Sequence, residues 1–156
     1  MRKNDFSGNS TYDFKNLFVL FFSTISVYFN SLFNPFVWDD LSLISENFLI
    51  RNFKFLLSFF KTDIFLSNSN FYRPIQMFFY TLVYKLSGQN PVGYHLLNIF
   101  FHSGCSILIY LLLKKIYQDK ISFLVSLLWA IHPINSESIT YISGTADPLF
   151  LFFGLL

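Results

Sequence analysis

The 22 residues VGYHLLNIFFHSGCSILIYLLL, from Val92 to Leu113, contain no Asp, Glu, Lys or Arg. At a rise of about 1.5 Å per residue, a helix of this length is long enough to cross a hydrocarbon core about 30 Å thick. An earlier stretch, Leu17 to Phe33, is uncharged over 17 residues, close to the lower limit for a membrane span. The sequence therefore predicts at least two membrane-spanning helices.

The composition of the whole chain favours the same class. Hydrophobic residues make up 53% of the 156 residues, charged residues 13%, and the mean hydropathy is +0.47, whereas an average soluble domain has about 25% charged residues. The net charge of +2 is small and the basic residues are scattered, which argues against a nucleic-acid surface. The single cysteine, Cys105, excludes an intramolecular disulfide and a CxxC or Cys/His zinc site. We expect an all-α, polytopic membrane helix bundle.

Two shorter apolar runs follow the long one. The segment 121–133 predicts a third span, which ends at His132-Pro133, and 148–156 predicts the start of a fourth. A helix of nine residues covers about 13 Å, less than half a bilayer core, so we expect the chain to be a truncated or fragmentary part of a longer product.

Lysines set the predicted orientation of the bundle. The polar segment 1–16 looks like a short cytoplasmic tail, and Lys114, Lys115 and Lys120 lie in the connection after the second span. Because Lys and Arg are enriched in short cytoplasmic connections, both segments are predicted to be cytoplasmic. The long connection 34–91 and the connection 134–147 are then predicted to lie outside.

The predicted outer loop, 34–91, alternates charged residues with short apolar pieces. Within it, Ile50–Phe60 and Pro74–Leu86 are each long enough for about three helical turns, and their mixed polarity is typical of helices along the headgroup region. The sequence SNSN at 67–70 predicts a turn.

A pair of carboxylates, Asp39 and Asp40, opens this outer loop directly after Trp38. One interpretation is a solvated border after the first span, with Trp38 as an interfacial aromatic. The other is that one carboxylate acts as a general base or binds a divalent metal ion while its neighbour tunes it. Arg73 is either an interfacial cation or the partner of a lipid phosphate, with which guanidinium forms bidentate hydrogen bonds.

Polar side chains also form a stripe along the second span. His95, Asn98 and His102 are spaced i, i+3 and i+7, and Ser106 extends the stripe. Such residues either join helices by hydrogen bonds or line a wet cavity, and for His95 and His102 the sequence leaves both interpretations open. Taken singly, Glu137 and Asp147 are predicted to be solvated loop residues.

Four motifs in this order resemble the N-terminal portion of a GT-C membrane glycosyltransferase. They are FVWDD at 36–40, YRP at 72–74, NPVGYHLLNIFFH at 90–102 and AIHPINSESITYISGTADPL at 130–149. The resemblance is greatest to the TMTC and dolichyl-phosphate-mannose protein mannosyltransferase group, whose longer members often carry C-terminal tetratricopeptide repeats.

The resemblance implies a function and roles for particular residues. It implies transfer of a sugar, with mannose as the candidate, from a polyprenyl-phosphate donor to a hydroxyl of a protein or glycan acceptor. The reaction would take place at the extracytoplasmic face of a bacterial inner membrane or an endoplasmic reticulum membrane. Asp39 would be the base, Asp40 its catalytic partner and Arg73 the donor-phosphate contact. The same resemblance brings His132, Glu137 and Asp147 towards this cavity.

One departure and two rival classes leave the function open on the sequence alone. Many protein mannosyltransferases have Asp-Glu at the carboxylate pair where this chain has Asp39-Asp40, which leaves the acceptor class undetermined. A non-catalytic integral membrane protein would use the same residues for packing and solvation. A transporter fragment would line a path with polar residues, although no pair of Gly/Pro-broken spans is present.

Overall fold

The computed structural model describes residues 10–61 and 71–156, with side chains from residue 14 onward, and the regular structure in these ranges is all helical. The predicted all-α helix-bundle class is confirmed. The described part of the chain contains six α-helices, with shorter 3₁₀ and π turns between α1 and α2 and on both sides of α5. The α-helices are α1 (Ser10–Tyr28), α2 (Pro74–Ser87), α3 (Pro91–Lys114), α4 (Asp119–Ile131), α5 (Ser136–Thr140) and α6 (Ala146–Leu155).

Helix α3 is the central element of the bundle and packs against α1, α4 and α6. It begins with Pro91 in its first turn, where a missing backbone N–H is harmless, and the Asn90 side chain caps it by accepting from the Val92 N–H. Two helical stretches of the described chain are long and apolar enough to cross a membrane, Phe14–Phe33 and Pro91–Lys114. The first joins α1 to the 3₁₀ turn Phe29–Phe33.

Helix α4 ends earlier than the predicted third span. Its last residue is Ile131, because His132 precedes Pro133 and takes an extended conformation, as residues before proline usually do. A 3₁₀ turn, Pro133–Asn135, then leads into α5. The 3₁₀ turn Ile142–Thr145 connects α5 to α6, so the chain from 132 to 145 crosses the end of the bundle in short, irregular pieces.

The outer loop contains more 3₁₀ and π structure than its sequence predicts. Helix α2 begins at Pro74 and matches the expected helix over 74–86. The expected helix over 50–60 is instead divided at Asn52, which is extended and whose side chain accepts from the Lys54 N–H. Asparagine competes for backbone donors in this way, so it starts a new 3₁₀ helix, Phe53–Phe60. The predicted turn at 67–70 lies outside the described residues.

A compact apolar core lies under this loop. Its buried side chains come from the loop turns, from α2, from the first turn of α3 and from the turn before α6; they are Leu43, Ile44, Leu49, Ile50, Phe59, Met77, Tyr80, Val83, Tyr94 and Ile142. The loop is therefore a packed layer over one end of the bundle, and α2 buries one face instead of lying only along a headgroup region.

The opposite end of the bundle is joined by a polar cluster. The Asn16 amide donates to the Tyr110 hydroxyl at 3.1 Å and to Asp119 Oδ2 at 3.1 Å, and Lys114 Nζ lies 3.2 Å from Asp119 Oδ1. The start of α1, the end of α3 and the start of α4 therefore meet there. The packed outer loop and the segment 132–145 lie at the other end, an arrangement that the predicted topology requires; which end is cytoplasmic stays a prediction.

Candidate active site

Polar side chains from three parts of the fold converge on the turn that precedes α6. The turn Ile142–Thr145 offers its backbone groups, and side chains from the outer loop, from α2 and from α3 bind them. The converging side chains are Asp40, Arg73, Gln76, Tyr80 and Asn98.

Asp40 is the buried member of the carboxylate pair, with 1% of its surface exposed. Its Oδ1 accepts from the Ser143 N–H at 2.8 Å, and its Oδ2 accepts from the Val37 N–H at 3.1 Å. Burial raises the pKa of Asp40, while hydrogen bonds from Val37 and Ser143 and the nearby His95 act in the opposite direction. Both carboxylate oxygens are therefore occupied by backbone donors.

Asp39 has the opposite environment, because its side chain is exposed. Within residues 10–61 and 71–156, no hydrogen bond to its carboxylate is found. The preceding Trp38 has φ 47°, in the left-handed region that bulky residues rarely adopt, and 85% of its surface is exposed. A backbone bond from Asp40 N–H to the Val37 carbonyl at 3.0 Å closes this turn. The turn thus directs one carboxylate inward and leaves the other in solvent.

Arg73 reaches the same turn from the other side. It is half-buried and precedes the first residue of α2, and its Nη1 donates to the Ser143 carbonyl at 3.3 Å. Its guanidinium also lies 5.8 Å from the Phe71 ring centroid. Asp40 binds the N–H of Ser143 and Arg73 binds its carbonyl, so one residue bridges two of the predicted site residues.

Two residues of α2 that the sequence analysis did not single out complete this arrangement. The Gln76 amide donates to the Ser143 carbonyl at 3.1 Å and to the Tyr80 hydroxyl at 2.7 Å. The Tyr80 hydroxyl in turn donates to the Ile142 carbonyl at 2.7 Å. Their spacing of i and i+4 places both on the buried face of α2. A pair of polar residues on an otherwise apolar helix face is the feature of the sequence that could have identified them.

The polar stripe of α3 joins helices by hydrogen bonds. Asn98 donates to the Tyr141 carbonyl at 3.0 Å and the Ile139 carbonyl at 3.3 Å, and its oxygen accepts from Thr145. His102 Nε2 lies 2.9 Å from the Ala130 carbonyl, and its ring centroid is 4.6 Å from that of Trp129. Asn98 thus holds the turn before α6, while His102 fixes α3 to α4.

His95 lies closer to the candidate site than His102. It is 1% exposed, its Nε2 is 3.1 Å from the Asn34 carbonyl, and it interacts electrostatically with Asp40. Its Nδ1 is buried and has no hydrogen-bond partner within the described residues. Such an orphaned nitrogen is unusual for a buried polar group. His95 therefore borders the candidate site, and a role in lining the cavity stays a prediction.

The three looser candidates lie outside the hydrogen-bond network at Ser143. His132 is exposed, and its Nδ1 accepts from the Ile134 N–H at 3.2 Å, which caps a 3₁₀ turn. Glu137 in α5 and Asp147 in the first turn of α6 are both exposed. In the described ranges no hydrogen bond joins these three side chains to the network, and no group of three or more His, Cys, Asp or Glu is placed to hold a metal ion.

An apolar groove begins at Arg73 and runs between the start of α2 and α6. It has a volume of about 570 Å³. Its lining includes Tyr72, Arg73, Gln76, Leu149, Phe150 and Phe153. The groove therefore combines one cationic group at the candidate site with a wall of aromatic and aliphatic side chains.

Comparison with known proteins identifies the relatives of this chain. It is 36% identical over 128 residues to the human protein O-mannosyl-transferase TMTC3, a match that covers 78% of the chain and 14% of the relative. It is 33% identical over 151 residues to protein O-mannosyl-transferase F38B6.6 of Caenorhabditis elegans, covering 90% of the chain and 22% of the relative. The mouse TMTC3 protein is 34% identical over 144 residues, covering 88% of the chain and 16% of the relative.

The chain is homologous to proteins that are named protein O-mannosyl-transferases. Within that class the similarity is to the TMTC proteins, and the resemblance predicted from the motifs is confirmed. The chain spans less than a quarter of the length of these three relatives. No family model and no solved structure matches it.

Proposed function

We propose that this chain forms the donor-phosphate and base region of a membrane mannosyltransferase. The enzyme transfers mannose from a polyprenyl-phosphate donor to a hydroxyl of a protein acceptor. The observation that carries the proposal is the meeting of the Asp39-Asp40 loop and Arg73 at one residue, Ser143, where an apolar groove begins. Mannose as the sugar and protein as the acceptor are proposed because the homologous proteins are named protein O-mannosyl-transferases.

Arg73 and the groove suit the two halves of a lipid-linked donor. A polyprenyl chain is apolar and fits the wall formed by Leu149, Phe150 and Phe153. Its phosphate would meet the Arg73 guanidinium, whose one hydrogen bond within the described residues is the 3.3 Å contact to the Ser143 carbonyl. Guanidinium binds phosphate through paired N–H groups, and partial burial strengthens that attraction. Arg73 would therefore hold the donor and stabilise the leaving phosphate.

Asp39 is the carboxylate available for proton transfer. In the proposed reaction, the acceptor oxygen attacks the anomeric carbon, the bond from that carbon to the phosphate oxygen breaks, and the phosphate leaves with the bonding electrons. The hydroxyl proton passes to Asp39, whose exposed carboxylate an acceptor can approach. The lipid phosphate leaves as an anion beside Arg73, where a fixed cation lowers the barrier.

The test uses a chimera of human TMTC3 in which this chain replaces the stretch that it matches. Mannose transfer from a lipid-linked donor into membrane protein is measured for Asp39→Asn and for Glu46→Gln, an exposed carboxylate of the same loop. We expect Asp39→Asn to lower the rate by about 100-fold or more and Glu46→Gln to leave it unchanged. Normal transfer by Asp39→Asn would remove Asp39 from the role of base.

The donor contact has a separate readout. Arg73→Ala should raise the donor KM and lower kcat, because both binding and leaving-group stabilisation are lost, and Arg73→Lys should recover part of the binding through its charge. A matched control is Arg51→Ala, since Arg51 is exposed in the same loop and donates to the Ser45 carbonyl at 2.9 Å. Unchanged donor dependence in Arg73→Ala would exclude the phosphate contact.

The proposed reaction lies at the extracytoplasmic face of a multi-pass protein in a bacterial inner membrane or an endoplasmic reticulum membrane. The lysine-containing connection and the packed loop lie at opposite ends of the bundle, which supports this orientation. Single cysteines replacing Glu46 and Lys115 in a Cys105→Ala background would be labelled from each side of the membrane. Labelling of the cysteine at 46 from the cytoplasmic side would contradict the orientation.

A further inference from the structure

We infer that Asp40 is a positioning residue, which holds the Asp39 turn at a fixed place relative to Arg73 through the peptide groups of Ser143. The part that concerns transfer rests on the proposed function. The part that concerns the contacts of Asp40 is independent of the proposed function, because these contacts can be tested without a substrate.

Both peptide groups of Ser143 are held by side chains of other segments. Its N–H donates to Asp40 at 2.8 Å, while its carbonyl accepts from Gln76 at 3.1 Å and from Arg73 at 3.3 Å. We call Asp40, Ser143, Gln76 and Arg73 the Ser143 clamp. Asp40 comes from the loop after the first span, whereas Gln76 and Arg73 come from the start of α2. The Ser143 clamp thus links two segments that are more than 30 positions apart in the sequence.

Asp40 also closes the turn that carries Asp39. The other oxygen of Asp40 accepts from the Val37 N–H at 3.1 Å, so the same carboxylate closes the turn from Val37 to Asp40. Trp38 within this turn is held at φ 47°, a conformation that persists only where the surroundings enforce it. Loss of the Asp40 carboxylate would therefore let Trp38 relax and would move its neighbour Asp39.

Asp40 is not placed to act as the base itself. A general base must come within about 3 Å of the proton that it accepts. Asp40 is 1% exposed and both of its oxygens bind backbone donors. Among the described residues, the titratable groups of other elements that interact electrostatically with Asp40 are His95 from α3 and Tyr80 from α2, and neither is a carboxylate. Arg73 binds the carbonyl of Ser143, whose N–H binds Asp40. Asp39, one residue earlier, is exposed.

The structural test measures amide hydrogen exchange in the 156-residue chain in lipid nanodiscs. Asp40→Ala should speed exchange in the peptide that contains residues 142–145 by about tenfold, because the Ser143 N–H loses its acceptor. Ser143→Ala removes the hydroxyl but keeps both the backbone N–H and its acceptor on Asp40, so its exchange should stay close to that of the parent chain. Unchanged exchange in Asp40→Ala would overturn the inference.

The kinetic test uses the TMTC3 chimera and compares Asp40→Asn with Asp39→Asn. Asparagine keeps the shape of Asp40 but presents an amide N–H₂ to one of two backbone donors, which weakens the turn. We expect kcat to fall by about ten- to a hundredfold with the donor KM within about twofold, as for a misplaced base. The acid limb of the pH profile should persist in Asp40→Asn and disappear in Asp39→Asn.

Failures of the two proposals are distinguishable. If Asp39→Asn keeps the acid limb and Asp40→Asn loses it, Asp40 is the base and the positioning role is wrong. If Asp39→Asn transfers mannose normally while Asp40→Ala speeds exchange at Ser143, the base assignment fails and the structural part of the inference stands. If Asp40→Asn has a normal kcat while Asp40→Ala speeds exchange, Asp40 holds the Asp39 turn but the position of this turn does not affect mannose transfer. That result would overturn the part of the inference that concerns transfer.

Discussion

Replacing Asn98 by alanine tests whether the polar stripe of α3 mainly holds the fold together. Asn98 is fully buried, and its amide donates to the carbonyls of Tyr141 and Ile139 at 3.0 and 3.3 Å, while its oxygen accepts from Thr145. Ile139 lies in α5, and Tyr141 and Thr145 lie between α5 and α6, so the side chain ties this part of the chain to the central helix.

The expected loss of stability follows from these bonds. A buried hydrogen bond contributes about 0.6–1 kcal/mol in membrane helix bundles and in proteins generally, so three bonds amount to about 2–3 kcal/mol. Ser106 offers a matched control on the same stripe. It is fully buried too, but among the described residues its hydroxyl donates to the Ser103 carbonyl of its own helix, at 2.7 Å, and to no other element; Ser106→Ala should lose less than about 1 kcal/mol.

Both variants would be unfolded by titration with sodium dodecyl sulfate in mixed micelles, followed by tryptophan fluorescence. We expect the free energy of unfolding of Asn98→Ala to lie about 2 kcal/mol below that of Ser106→Ala. Equal losses in the two variants would refute the structural interpretation of Asn98. They would mean that the contacts between α3 and the 139–145 segment do not contribute to the stability of the bundle.

Three further predictions concern other parts of the fold. Trp38→Gly should change stability by less than about 1 kcal/mol, and Trp38→Val should lower it by about 1–2 kcal/mol, because a β-branched residue is strained at φ 47°; equal stabilities would contradict this. Gly144→Ala should lower stability by about 1–3 kcal/mol, since its Cβ would lie 3.0 Å from the backbone Cα of Ser138; a thermal shift assay measures it. A hydrogen bond from Tyr110, with a smaller effect of Lys114, lowers the pKa of Asp119, so its contribution is full above about pH 4 and is lost as the pH falls through the folded-state pKa. Unfolding between pH 5 and pH 3 should therefore depend less on pH in Asp119→Asn than in the parent chain.

The helices that carry their own boundary signals could be predicted from the sequence. Pro74 and Pro91 both occupy the first turn of a helix, and the uncharged run after Pro91 has the length of a membrane span. These signals are local, so they do not depend on what the helix packs against. The end of α4 before His132-Pro133 was visible for the same reason, within two residues.

The outer loop could not be predicted to the same level. Its π turn Leu41–Ser45 and its 3₁₀ helix Phe53–Phe60 owe their shape to the apolar core under the loop, where Ile44, Ile50 and Phe59 are buried. Apolar residues in such short pieces show no clean period, so pattern alone does not separate an interfacial helix from a packed turn. The loop is buried by contacts with residues that are distant in the sequence, so the local sequence does not reveal this burial.

The centre of the candidate site was hidden for a different reason. Ser143 acts through its backbone N–H and carbonyl, and a sequence motif reports side chains, not backbone donors and acceptors. Asp39 and Asp40 are adjacent residues of the same type, and the resemblance assigns catalytic roles to both. The structure separates them by burial, which no spacing rule between adjacent residues reveals.

The buried, irregular backbone at the end of the bundle explains why the structural and the chemical features lie together. Buried N–H and carbonyl groups outside regular helices must find other partners. Asp40, Gln76, Tyr80 and Asn98 supply those partners for residues 139–145, and their polar atoms are largely consumed in doing so. Asp39 lies outside this network and Arg73 uses one of its donors in it. Under the proposed function, substrate chemistry in this part of the chain falls on Asp39 and Arg73, while the neighbouring polar residues hold the turn that keeps the loop and α2 together.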